Sequence, residues 1–163
     1  MKHFSRSVAL TGLAASLVAS LGAVSPQAAV AECTPQAAGT YLTTITSGPT
    51  ATPRSTILLN VEGTMSVVDS GQGTVGFTAA QGTWDCQVQH GQPELQATAL
   101  DFNTAGDMIF RTDYQATFDP QSETVAGTIT LQTFPLAADP LGSGGTEVGT
   151  FAFTGQRIPA GGN

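Results

Sequence analysis

Apolar residues recur along this chain mostly at every second position, in short runs bounded by Gly, Pro, Asp and Asn. A period of two places alternate side chains on opposite faces of an extended backbone, so the pattern predicts strands rather than helices. The clearest run covers 107–118. Met108, Phe110, Thr112, Tyr114, Ala116 and Phe118 share one face, while Ile109, Arg111, Asp113, Gln115 and Thr117 share the other. Reading the rest the same way gives eight strands, at about 39–47, 54–62, 64–70, 75–88, 94–103, 107–118, 124–134 and 147–158. Ile57, Leu59 and Val61 line one face of the second, Met65 and Val67 of the third, Val125, Ile129 and Leu131 of the seventh, and Phe151 and Phe153 of the last. The fourth is long and contains Ala79-Ala80-Gln81-Gly82, where a bulge is expected, with Trp84 resetting the inward side.

The connections agree with antiparallel order. Glu62-Gly63 joins the second and third strands, Asn103–Asp107 the fifth and sixth, and Asp119–Glu123 the sixth and seventh. Successive strands on such short turns form an up-and-down meander, and eight of them close into a barrel without edges. An open sandwich is the competing architecture. One end of the barrel then collects the connections 47–54, 70–75, 103–107 and 134–147, of which the first and last are long and rich in Gly, Pro, Ser and Thr. The other end is closed by tight turns. Pro93–Phe102 also reads as a short helix with Leu95, Ala99 and Phe102 on one side, which would reverse every later strand.

The N-terminus changes the setting. Lys2 and Arg6 precede an apolar stretch from Val8 to Val24, and Ala29-Val30-Ala31 supplies a small-x-small cleavage pattern, so 1–31 reads as a signal peptide. The expected organisation is a cleaved segment 1–31, one barrel domain 32–158 and a flexible tail 159–163, in a secreted or periplasmic protein. A lipoprotein is rejected, because Glu32 stands where a lipobox needs a small residue before Cys33. After cleavage three arginines face twelve carboxylates, and no lysine is left. That balance, net −9, offers nothing to nucleic acid or to anionic lipid and favours a soluble monomer. Calcium held by loop carboxylates is the alternative use of the charge. No second apolar run is long enough to span a membrane.

Cys33 and Cys86, the only cysteines, read as one structural disulfide in an oxidising compartment. The eight-strand order brings both to the closed end, although neither was used to derive it. A redox role would need closer spacing or a nearby cation.

Tyr41, Trp84 and Arg157 converge on that closed end. Gly39-Thr40-Tyr41 opens the first strand, Gly82-Thr83-Trp84 lies on the fourth, and Arg157 ends the eighth. This resembles the calycin superfamily, the lipocalin-like barrels, which open with Gly-x-Trp and end with an Arg packed across that Trp. The likeness extends to small exported bacterial barrels of unassigned role. It implies that Arg157 stacks on Trp84 by a cation–π contact and seals the bottom.

Chemistry is sparsely represented. His90 sits in a loop beside Gly91, and a single imidazole makes no metal site. No Gly-x-Ser-x-Gly is present. Asp69-Ser70-Gly71-Gln72-Gly73 lacks the lysine and helix of a phosphate loop and reads as a strand connection. Asp113 and Arg111 read as an exposed charge pair. No cofactor, metal or catalytic residue is expected.

The lumen remains. An eight-stranded barrel is just wide enough to be filled by side chains or to hold one small ligand. Tyr41, Met65, Phe77, Met108, Phe110, Tyr114, Phe151 and Phe153 are the candidate lumen residues, with the Tyr41 or Tyr114 hydroxyl orienting a guest. The leading expectation is a barrel that binds a small apolar or aromatic molecule without transforming it. The alternatives are an interaction module acting through the 134–147 loop and its neighbours, and a lumen isomerase or cyclase.

Overall fold

The computed structural model describes residues 33–48 and 53–161. The expected signal segment 1–31, part of the 47–54 connection and the last two residues of the tail lie outside the described residues.

Eight strands form in the expected order: β1 (Gly39–Ile45), β2 (Arg54–Leu59), β3 (Thr64–Asp69), β4 (Ala80–Gln89), β5 (Gln92–Phe102), β6 (Met108–Asp119), β7 (Thr124–Pro135) and β8 (Thr146–Arg157). Each pairs antiparallel with its successor, and β1 pairs with β8 from Tyr41↔Arg157 to Ile45↔Phe153, so the sheet closes into an up-and-down barrel. This excludes the open sandwich. The 94–103 segment is a strand. Leu95, Ala97, Ala99 and Asp101 take one side of β5, and Phe102 turns outward, 47% exposed. Leu95 and Ala99 therefore share a face by a period of two, and Phe102, one position past Asp101, cannot join them.

The bulge expected near Ala79–Gly82 is absent. β4 runs in unbroken register from Gln81↔Leu100 to Gln89↔Gln92, with Ala80, Trp84 and Cys86 all buried on one face. The extra residues are used earlier. A five-residue π-helical turn (Gln72–Gly76) follows β3, and Phe77 forms a lone bridge with Asn103 before the strand begins. The irregularity in the barrel falls instead between β7 and β8. There Leu131 faces Gly149 while Gln132 faces Glu147, leaving Val148 as the extra residue.

Strand glycines let the wall bend tightly. A Cβ on Gly127 would lie 2.0 Å from the Gln115 carbonyl oxygen and 2.6 Å from the Ala116 Cα, and one on Gly82 would meet Thr98 and Ala99 in the same way. Only glycine permits that approach of neighbouring backbones.

The core occupies the closed half of the lumen, where Tyr41, Ile57, Leu59, Met65, Trp84, Leu95, Phe118, Val125 and Phe153 are buried together. Beneath it a helical turn over 33–37 plugs the barrel. Cys33 is bonded to Cys86 with their Cα atoms 5.6 Å apart, and Ala37 is fully buried.

At the opposite end the β7–β8 connection does not hang free. Phe134 and Ile109 pair on the outside of the barrel, yet both are buried, because the segment between β7 and β8 folds back over them. A Cβ on Gly145 would come within 2.4 Å of the Phe134 ring, and Arg111 Nη1 donates to the carbonyls of Pro140 (3.3 Å) and Gly142 (3.2 Å). The segment is a strap on the outer wall. Among the described residues no helix is long and apolar enough to cross a membrane.

Candidate functional site in the barrel lumen

The two ends of the lumen differ in how their inward positions are filled. At the closed end a residual space of about 30 Å³ lies among Tyr41, Met65, Trp84, Tyr114 and Phe153. Tyr41 donates its hydroxyl proton to the Ala37 carbonyl at 2.6 Å and accepts from Arg157 Nη2 at 2.9 Å. Burial raises the Tyr41 phenol above its ordinary value, and the Arg157 guanidinium partly offsets this. Arg157 also donates to the Gln36 carbonyl and pairs with Glu123 at 3.1 Å.

Its guanidinium stands 5.4 Å from the Tyr41 ring centre and 5.0 Å from that of Phe118. The expected stack on Trp84 is not formed. Trp84 is 5% exposed, and its indole N–H is directed to the Asn60 carbonyl at 2.8 Å, toward the β2–β3 turn. The reason lies in strand order. β1 is hydrogen-bonded to β8, so its Tyr41 stands next to Arg157, whereas β4 lies on the far side of the barrel. Close packing of Arg157 Nε over Gly39, 3.0 Å from where a Cβ would sit, explains the glycine that opens β1.

At the open end the inward side chains leave a cavity of about 340 Å³. Phe77, Phe110 and Phe151 line it with Ile45, Val67, Val75, Ile129 and Leu131, and Tyr114 forms its inner limit. Phe77 and Phe110 meet edge to face with ring centres 6.4 Å apart, and Tyr114 meets Phe153 in the same manner at 6.0 Å. Of the eight lumen residues read from sequence, Phe77, Phe110, Tyr114 and Phe151 therefore surround this cavity. Tyr41, Met65 and Phe153 belong to the closed-end core. Met108 sits at the rim, on neither space, where its backbone N–H is held by the Asn103 side chain at 3.1 Å.

Two carboxylates among these apolar groups escaped the sequence reading. Asp69 continues the inward series Met65, Val67 on β3, and Asp101 continues Leu95, Ala97, Ala99 on β5. Asp69 is engaged on both oxygens, by the Ser55 hydroxyl at 2.5 Å and the Gly71 backbone N–H at 2.6 Å. Asp101 is not. Its Oδ1 is buried without a hydrogen-bond partner. Burial and, second, the charge of Asp69 push its carboxyl up to about 7. The Tyr114 phenol is raised by burial foremost, then by Asp69 and Asp101. The signal was available, since alternation continued from Val67 and from Ala99 reaches both positions.

On the outer wall the charged groups pair with one another. A wider depression of about 550 Å³ on the outer wall is lined by polar side chains of β4 to β7. There Arg111 Nε pairs with Asp113 at 2.8 Å, and Thr98 donates to the same carboxylate at 2.7 Å. His90 is exposed in the β4–β5 turn with φ 52°, a position that favours turn residues. No protein-family model, curated protein or solved structure matches the chain.

Proposed function

We propose that the protein is an exported, monomeric, calycin-like barrel that binds one small molecule with an apolar or aromatic body in the open half of its lumen. The observation that carries this reading is the contrast between the two ends. One half of the barrel is packed and plugged, and the other keeps a cavity of about 340 Å³ walled by three phenylalanines and aliphatic side chains. Its size and apolar lining, with a few convergent polar groups, are those of ligand pockets in general. The π-helical turn and Phe77 flank the entrance, and Val75 on that turn is 72% exposed while lining the cavity.

A neutral fluorophore such as N-phenylnaphthylamine tests the reading. Its emission rises on binding with one molecule per barrel, and Thr112→Phe, which fills the cavity from β6, abolishes the rise. An undiminished signal in Thr112→Phe would place binding outside the lumen and overturn the proposal.

A second reading, proton transfer to or from a bound substrate, is favoured by one group alone. Asp101 titrates near neutrality in an apolar cavity, as a general acid–base does. Turnover of any lumen substrate that persists in Asp101→Asn would remove it.

A further inference from the structure

The open cavity holds a charge imbalance that the fold leaves uncompensated. Asp101 is 7% exposed, and its Oδ1 has no partner. A buried carboxylate in that state is costly unless a cation or donor meets it. The titratable groups that face it are Asp69 from β3 and Tyr114 from β6, and neither brings positive charge. Every cation of the described residues is directed elsewhere. Arg54 is exposed and alternates outward from Ser55, Arg111 is tied to Asp113 and the strap on the outer wall, and Arg157 is fixed at the closed end. His90 lies exposed on a closed-end turn.

We infer that the lumen ligand is a small monocation, a primary or secondary ammonium on an apolar or aromatic body, with Asp101 as its counter-ion. The inference rests on the lumen-binding reading above and specifies its ligand class. A neutral hydroxyl or amide would satisfy Asp101 Oδ1 but leave the charge of Asp69 without an opposite. An ammonium donates to Asp101 Oδ1 and sets one positive charge against the two carboxylates. The surrounding rings of Phe77, Phe110 and Phe151 suit such a ligand, because they supply apolar surface for its body and aromatic faces attract a cation. A space of about 150 Å³ accommodates benzene, so a cavity of about 340 Å³ fits one ring and a short alkylamine chain.

Calorimetry with phenethylamine, its neutral counterpart phenethyl alcohol and the anion phenylpropanoate separates the possibilities, with displacement of N-phenylnaphthylamine reporting that each binds in the lumen. The amine is expected to bind one per barrel, at least tenfold tighter than the alcohol, and the anion not at all. Binding should release a proton below pH 7, and the affinity should rise about tenfold per pH unit up to pH 7 and then level, because the ionised carboxylate is the binding form. Asp101→Asn should remove the preference for the amine, bringing its affinity down to that of the alcohol. If that variant fails to fold, the proton release and the amine-to-alcohol ratio of the wild-type protein decide alone. An alcohol bound as tightly as the amine overturns the inference and leaves lumen binding standing. Amine binding that is unaffected by Asp101→Asn overturns it as well. If none of the three displaces the fluorophore and the fluorophore itself does not bind, the lumen reading falls together with it.

Discussion

Asp101 costs the folded protein stability, and the sign of its pH dependence follows from that. Its carboxyl is near 3.8 when exposed and about 7 in the barrel, so between these values the folded state holds a proton that the unfolded chain has released. Its contribution to stability is therefore most favourable below about pH 4, declines as pH rises toward 7, and is flat above. The rise corresponds to an upper bound of about 4 kcal/mol, reduced in so far as water enters the open cavity. Denaturant titrations at pH 5 and 8 should show this decline in the wild-type protein and its loss in Asp101→Asn, which should be the more stable of the two at pH 8. Equal slopes in both would assign the pH dependence to another group. The position was legible, because the alternation of Leu95, Ala97 and Ala99 extends to it without interruption. The candidate lumen residues are all aromatic or Met, which passes over Asp101, and Asp69 reads with the Asp69–Gly73 connection instead. Alternation fixes where a side chain points regardless of its chemistry.

Strands and their order were the most readable features, and contacts between individual side chains the least. Runs such as Met108 to Phe118 and Ile57 to Leu59 set the inward faces directly, since burial on one side of a sheet enforces the period. The β4 bulge was misplaced because Ala79-Ala80-Gln81-Gly82 has too little side-chain contrast to mark where a strand begins. The π-helical turn before it carries no distinct pattern of its own. The Arg157 contact was misassigned on a different ground, as convergence at one end of a barrel does not determine which rings stand side by side. Pairing of β1 with β8 does. Arg157 therefore acts on the seam between the first and last strands, bridging Tyr41, Gln36 and Glu123 while covering Phe118. Arg157→Ala should destabilise the fold by roughly 1–3 kcal/mol, combining the cation–π contact with stranded hydrogen-bond partners. Lysine should restore only part, since a single ammonium cannot reproduce the planar fork. Trp84 fluorescence should change little in either variant, which distinguishes a Tyr41–Phe118 site from a Trp84 one. A large red shift on Arg157→Ala would contradict the seam assignment.

For the whole molecule, closure has two fastenings. Hydrogen bonds from β1 to β8 complete the wall, and the Cys33–Cys86 bond ties the plugging turn to the end of β4. The bond spans 53 residues, for which the chain-entropy description gives about 4 kcal/mol as an upper figure. The wall does not depend on it, so the Cys33→Ser, Cys86→Ser variant is expected to keep the barrel and the open cavity and to melt at lower temperature. The turn it holds also presents the Ala37 and Gln36 carbonyls to Tyr41 and Arg157. Loosening the turn removes those acceptors, and the two fastenings should be coupled through them. In the double-cysteine variant, Arg157→Ala should cost no more than about half of what it costs in the disulfide-bonded protein, measured by denaturant unfolding around a complete mutant cycle. The N-phenylnaphthylamine affinity of the folded protein should be unchanged throughout, because the open-end cavity shares no wall residue with the plug. Strict additivity of the two losses would show that the plug and the seam are energetically separate. A fall in lumen affinity on removing the disulfide would show instead that the packed half of the barrel is needed to keep the open half in shape.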